Sequence, residues 1–173
     1  MLVIKDNEIK EEIQVGSGPE YTEVSPDGRY LYVANLWSPI PVVDLRNKTA
    51  IKEIDSGETP HGLSFTDDEL RLFIVNMESD ILSVIDVTKH EIIKTIPVGD
   101  RPEYVALTPD ERFAFVTNLG AGTVSVVDAD SLEVVKEIQG VGDGSHGIAF
   151  SADGDLAYIS NMFQTILPSL YLK

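Results

Sequence analysis

The sequence predicts an all-β fold, a β-propeller of four-stranded antiparallel blades, and three observations predict it. The first is a group of four short apolar runs within residues 101–142, roughly 104–108, 113–118, 123–128 and 133–138, each bounded by Pro-Asp, Asn or Gly. Runs of this kind send successive side chains to opposite faces and read as antiparallel strands joined by tight turns. The second is repetition. Asn35, Asn76, Asn118 and Asn161 close LYVAN, LFIVN, FAFVTN and LAYISN at spacings of 41, 42 and 43 residues, Asp44, Asp86 and Asp128 end VVD, VID and VVD, and Gly16, Gly57, Gly99 and Gly142 each precede the next unit. The third is the period itself: about 40–45 residues with four strands per unit is the signature of a propeller blade and excludes a helical solenoid.

Taken in order, the chain starts in the middle of a unit. The N-terminal LVIKDNEIKEEIQVG aligns with VIDVTKHEIIKTIPVG at 84–99, so it is expected to form the third and fourth strands of a blade. Residues 18–57, 58–99 and 100–142 are expected to be complete blades. Residues 143–163 supply a first and second strand, and 164–173 an irregular tail in which Pro168, without an N–H to donate, argues against a regular third strand. The two ends are thus complementary halves of one blade. Residues 1–17 are expected to complete the last blade, closing a single domain of 173 residues as a four-bladed ring without free sheet edges.

Within each innermost strand, Thr22, Leu63, Val105 and Ile148 share one aligned position and Val24, Phe65, Leu107 and Phe150 lie two residues on, so this face is expected to be core. The residues between, Glu23, Ser64, Ala106 and Ala149, are mostly small, as crowding at an axis requires, and Glu23 stands out. Units one and three begin Pro19-Glu20-Tyr21 and Pro102-Glu103-Tyr104, whereas units two and four carry His61-Gly62 and His146-Gly147. The tyrosines are expected to fill the room the glycines leave. Such alternation closes only in an even ring, four blades from one chain or eight from two.

Composition narrows the function classes. With 43% apolar residues the chain has the material for one core. Its 29 acids against 13 Lys and Arg, a formal charge of −16, oppose binding to nucleic acid or anionic lipid. No apolar run is long enough to cross a bilayer, so membrane insertion is not expected, and Lys5, Glu8, Lys10, Glu11 and Glu12 do not read as a signal peptide. Zero cysteines remove disulfides, thiolate metal sites and c-type haem attachment. There is no G-x-S-x-G elbow and no Gly-rich phosphate loop before a helix.

The segments YVAN, VTN, SPDG, TPDE and VSVVD resemble the YVTN family of β-propeller repeats, and the resemblance covers residues 1–163. It implies a radial array of four-stranded sheets, found in surface-layer and periplasmic proteins and related in shape to lactonase-like propellers and to the haem domain of some nitrite reductases. A motif of this kind specifies fold and leaves function open.

Five residues are candidate ligand contacts. In a closed ring Glu20, His61, Glu103 and His146 all open the innermost strand at one end of the axis, where two imidazoles and two carboxylates suit a divalent metal ion such as Zn²⁺. The plainer reading is that they hydrogen-bond neighbouring backbone. Trp37, in a loop beside Pro39 and Pro41, is the fifth, with Met77, Leu119, Met162 and Phe163 near equivalent positions as an apolar rim for a protein or a small ligand. Packing beneath the adjacent loop is its alternative. The repeated asparagines, and Asp27, Asp110, Asp153, Asp44, Asp86 and Asp128, read as turn formers. His90 reads as solvent-facing and Arg101 as a surface partner of Glu103. The expected role is a non-catalytic scaffold that presents loops or an axial pocket to a protein or small molecule, with no catalytic residues. The alternatives are a metal-dependent, lactonase-like hydrolase and a partial propeller that closes by oligomerisation, as monomer or homodimer.

Overall fold

The computed structural model describes residues 1–6, 8–164 and 169–171. Three four-stranded antiparallel sheets follow one another along the chain: β3 (Pro19–Val24), β4 (Tyr30–Asn35), β5 (Ile40–Asp44) and β6 (Thr49–Ile54); β7 (Pro60–Phe65), β8 (Arg71–Asn76), β9 (Ile81–Asp86) and β10 (Glu91–Pro97); β11 (Pro102–Leu107), β12 (Phe113–Asn118), β13 (Thr123–Asp128) and β14 (Glu133–Ile138). A last sheet holds β15 (Ser145–Phe150), β16 (Leu156–Asn161) and β17 (Ser169–Tyr171), and β1 (Leu2–Lys5) with β2 (Glu8–Glu12) forms a two-stranded hairpin. Among the described residues the helical content is one 3₁₀ turn, Met77–Ser79. The fold is an all-β propeller type, as the repeat predicts.

Sequence explains the layering. Second and third strands such as LYVAN and IPVVD are apolar on both faces because a neighbouring sheet covers each face, and they are almost wholly buried. Outer strands such as EVVKEI are mostly exposed. Each outer strand is bulged, at Ile51, Ile93 and Val135, which twists the free edge away from pairing with another chain. The first strands lie side by side in the order β3, β7, β11, β15. Apolar clusters fill each gap between consecutive sheets.

The two ends differ from expectation. The N-terminal strands do not complete the last sheet: β1 pairs with β2, and the hairpin packs through Met1, Val3, Ile13 and Val15 on Leu31, Val33, Val43 and Leu45 of the first blade. Ile13 and Val15 follow the hairpin directly and bury against that blade, so they tie it to the near end of the array and away from β16. The tail, expected to be irregular, contributes β17 as a short third strand, with Ser169, Leu170 and Tyr171 opposite Tyr158, Ala157 and Leu156. Pro168 lies outside the described residues. Among the described residues no sheet covers the outward face of β3, and Thr22 and Val24, expected in the core, are exposed. Leu63, Phe65 and Val105 at the same positions are buried.

The repeated asparagines do more than form turns. Asn76 has extended backbone (φ −126°, ψ 104°). Each asparagine is buried at the end of a second strand, and three of them clasp the chain arriving from the preceding sheet, whereas Asn118 Nδ2 donates to Thr123 Oγ1 (3.0 Å) and Ser125 Oγ (2.9 Å) of its own sheet. Asn35 Nδ2 donates to Val15 O (2.5 Å), Asn161 Nδ2 to Val141 O (2.9 Å), and Ser56 Oγ donates to Asn76 Oδ1 (2.7 Å). The residue after each of these three contacts is the repeat's glycine. A Cβ at Gly142 would stand 2.5 Å from the Asn161 amide nitrogen, and Gly142 has φ +119°, so both space and backbone demand glycine. The aspartates keep their expected role: Asp44 Oδ1 accepts from Arg46 N (2.8 Å) and Asp128 Oδ1 from Ser131 N (2.8 Å), the Asx arrangement of a hairpin turn.

Gly142→Ala is expected to destabilise the protein by about 2–3 kcal/mol, from left-handed strain and displacement of Asn161. Urea denaturation of Gly142→Ala with and without Asn161→Ala checks it. The second change should recover part of the loss, and additive losses would reject the clasp.

Candidate functional site

The first strands carry the candidate residues because each strand opens where the chain enters a new sheet, at one end of the array. There the four predicted side chains do meet, but in a row. Glu20 Oε2 lies 3.2 Å from His61 Nε2, Glu103 Oε1 lies 3.3 Å from His61 Nδ1, and the same Glu103 oxygen lies 3.1 Å from His146 Nε2. The Glu103 carbonyl oxygen is also 3.0 Å from His61 Nδ1. His61 and Glu103 are each 5% exposed, whereas Glu20 and His146 at the ends of the row reach solvent. Both nitrogens of His61 face oxygen atoms of glutamates.

The expected alternation of tyrosine and glycine is present. A Cβ at Gly62 would stand 2.8 Å from Tyr104 Cα and 3.0 Å from its ring, so Tyr104 occupies the room Gly62 leaves. The Tyr21 ring lies 4.5 Å from the His61 ring and 6.2 Å from that of Tyr104. Burial, and then the Glu103 and Glu20 carboxylates, raise the Tyr21 phenol above its ordinary value.

The row bears on the metal reading. A metal site needs ligands that converge on one point. Among the described residues no group of three or more carboxylates and imidazoles does so. The contacts at the strand starts are pairwise, Glu20 with His61, His61 with Glu103 and Glu103 with His146.

Deeper along the same face, a hollow of about 240 Å³ is lined by Tyr21, Thr22, Glu23, Leu63, Ser64, Tyr104, Val105, Ala106 and Ile148. Glu23, the residue out of pattern in the sequence, is half-buried in it. Desolvation pushes its carboxyl up to about 7, opposed by a hydrogen bond from the Phe65 N–H. The signal was a charged residue at a position otherwise small. No Lys or Arg occurs in β3, β7, β11 or β15, so this face carries acids and imidazoles alone.

Other candidates fall differently. Trp37 is 76% exposed and lies over Gly18, and Phe163 lies over Gly144 in the same way on the last sheet. Met77 between them is buried, so the rim is not continuous. His90, expected in solvent, is half-buried with its ring 4.6 Å from that of Tyr30, and its Nδ1 lies 2.6 Å from the Tyr32 hydroxyl. Burial, then Lys52 and Arg29, lower its pKa. Sequence reasoning missed this contact because Tyr32 lies 58 residues away. Glu103 faces the two histidines rather than Arg101, whose N–H donates to Asp80 Oδ1 (2.9 Å).

An all-β array of propeller sheets with an acidic inner face is the class these features define. The sequence profile of the cytochrome D1 heme domain family matches residues 38–149, more than half of the chain, and the chain belongs to that family. Among solved structures it is similar to hydrazine synthase of Kuenenia stuttgartiensis, at 26% identity and a TM-score of 0.83 over 98% of this chain and 49% of that one. It is also similar to dihydro-heme d1 dehydrogenase NirN in complex with DHE, at 21% identity and a TM-score of 0.73 over 86% of this chain and 34% of that one. A Bacteroides uniformis protein provisionally named a 6-phosphogluconolactonase matches at 18% identity and a TM-score of 0.82 over 95% of this chain and 56% of that one. The last two likenesses are of fold alone, and the chain spans about half or less of the length of the first two. A search of curated protein sequences returned no match.

The family name raises a haem group, and the inner face does not fit one. Haem carries acidic side chains and takes an axial ligand from the protein. The inner face offers no cationic residue to those acids, both nitrogens of His61 are already engaged, and 240 Å³ falls below the roughly 300–1,000 Å³ of ligand pockets.

Glu23 supplies a pH prediction. Its folded pKa is raised, so the folded state holds the proton more tightly than the unfolded chain, and stability falls as pH rises from about 4.3 through 7. Glu23→Gln is therefore expected to stabilise the protein at pH 8, by roughly 1–2 kcal/mol once solvent screening of the half-buried group is allowed for, with the gain over wild type shrinking towards pH 4. Urea midpoints at the two pH values check it.

Proposed function

We propose that this chain is a non-catalytic binding propeller built of YVTN-type repeats, whose inner face takes a small cationic ligand. The observation that carries the reading is composition by position. Across the four first strands stand Glu20, Glu23 and Glu103 with the rings of Tyr21 and Tyr104, and no Lys or Arg. Carboxylates attract an ammonium group, aromatic faces add cation–π attraction, and the −16 charge of the whole chain raises the local cation concentration. The hydrolase alternative requires ligands that hold a water-activating metal, and among the described residues no group of three or more carboxylates and imidazoles offers such a set.

Calorimetric titration with putrescine at low salt tests the proposal. Saturable binding is expected, with affinity reduced about tenfold, some 1.4 kcal/mol, by Glu20→Gln or Glu23→Gln. Absence of saturable binding, or wild-type affinity in both variants, would overturn it.

A further inference from the structure

The loops that join the first blade to the second enclose a hollow of about 440 Å³, lined by Trp37, Pro39, Asp55, Glu58 and Pro60. One wall is the β4–β5 turn and the other is the crossover from β6 to β7, so both belong to four-stranded blades inside the array. Between the second and third blades the corresponding turn and crossover are bonded together: Asp80 Oδ1 accepts from Arg101 N (2.9 Å) and Asp80 O accepts from Val98 N (3.0 Å). Pro39, like Asp80, is the residue just before the third strand. It has no carboxylate to offer the crossover, and the two walls stand apart.

Trp37 is seated at this hollow. Its backbone N–H donates to Ser17 O (3.4 Å), and its ring lies over Gly18, where a Cβ would stand 2.8 Å from Cε3. Gly18 has φ +72°, but its counterparts Thr59 and Arg101 hold the same left-handed backbone, at φ +56° and +49°, with side chains in place. Backbone alone therefore does not demand glycine at this position. Glycine stands under the ring of Trp37, and side chains stand where the turn carries Glu78 or Gly120. The seat keeps a large aromatic ring 76% exposed, at the expense of the free energy its burial would contribute. The opposite wall is fixed as well: Glu58 N–H donates to Ser79 Oγ (2.7 Å) and Thr59 O accepts from Met77 N (2.9 Å). Asp55 and Glu58 on that wall are exposed, and no Lys or Arg is among the described residues that line the hollow.

We propose that this hollow takes an arginine side chain presented by a partner peptide. Charge complementarity selects a cation, and the indole face is the aromatic surface that attracts cations best. Arginine fits better than lysine because its planar guanidinium stacks on a ring while its fork of N–H groups donates to carboxylates, here Asp55 and Glu58. Pro39 and Pro60 offer apolar walls to the methylene stem. The formal charge of −16 steers a basic segment towards the protein. The site is separate from the inner face, whose hollow shares no lining residue with this one.

Trp37 is the only tryptophan, so its fluorescence reports the hollow directly. The protein is titrated at low salt, into the millimolar range, with acetyl-Gly-Arg-Gly-amide and with the same peptide carrying citrulline, which keeps the shape of arginine and lacks its charge. A saturable change in Trp37 emission is expected with the arginine peptide. Affinity should fall about tenfold with the citrulline peptide, and about tenfold for the arginine peptide in the double variant Asp55→Asn, Glu58→Gln. No saturable change, equal affinity for the two peptides, or wild-type affinity in the double variant would each overturn the proposal. Putrescine affinity measured by calorimetry should stay within about twofold of wild type in the double variant. Its loss along with peptide binding would also overturn the proposal, because the two carboxylates would then act through the general field of the protein and not locally. If putrescine fails to bind the wild type, the inner-face reading fails alone, and the peptide titration at Trp37 still decides the hollow.

Discussion

Everything in this molecule depends on one directional contact, the seating of a second-strand ring on the first strand of the next sheet. Tyr32 on Phe65 and Phe115 on Phe150 are the aromatic instances, and around them the buried Leu72, Ile74, Val75 and Val116 complete the apolar layers between sheets. A sheet that is apolar on both faces cannot stand alone in water, because each bare face leaves large side chains hydrated at about 25 cal/mol per Å². Each sheet therefore needs one neighbour ahead and one behind. The contact has a hand, forward from one sheet and backward from the next, so an open array has two unlike ends.

That constraint also sets the chemistry of the inner face. Sheets held side by side by this contact bring their first strands within reach of one another, and the residues that open those strands fall into line. Glu103 sits between two imidazoles and His61 between two carboxylates, an order that pairs opposite polarities in a place where an unpaired charge would be costly to bury. The cluster stabilises the junctions it spans and, at its exposed ends, presents Glu20 and His146 to solvent. Glu23 lies further in, without a cation beside it among the residues of the hollow, and it is the group whose proton affinity the fold changes most clearly on this face.

The residues that make the repeat recognisable are spent on the backbone. Asn35, Asn76 and Asn161 bind the chain entering from the preceding sheet, and Asp44, Asp86 and Asp128 hold hairpin turns. A family signature composed of such residues identifies a fold that many functions share. What distinguishes this chain is what does not repeat: Glu23 where its counterparts are small, the alternation of Glu and His at strand starts, and Trp37 and Phe163 on the first and last sheets where the middle sheets carry Glu78 and Gly120.

The sequence by itself determined the strands, their turns and their order. Alternation, Gly-Asn pairing and a period near 42 residues are local or strictly repeated signals, and they were enough to align Glu20, His61, Glu103 and His146 before any contact was seen. Tertiary structure decided how the array ends. Two complementary half-blades read equally well as closed on each other or as free, since pairing partners at opposite ends of a chain leave no local trace, and the burial of Ile13 and Val15 on the first blade settles where the hairpin sits. It also decided that the four side chains expected around an axis meet in pairs, Glu20 with His61 and Glu103 with His61 and His146, because contacts between side chains of different sheets depend on how the sheets pack and leave no local trace in the chain.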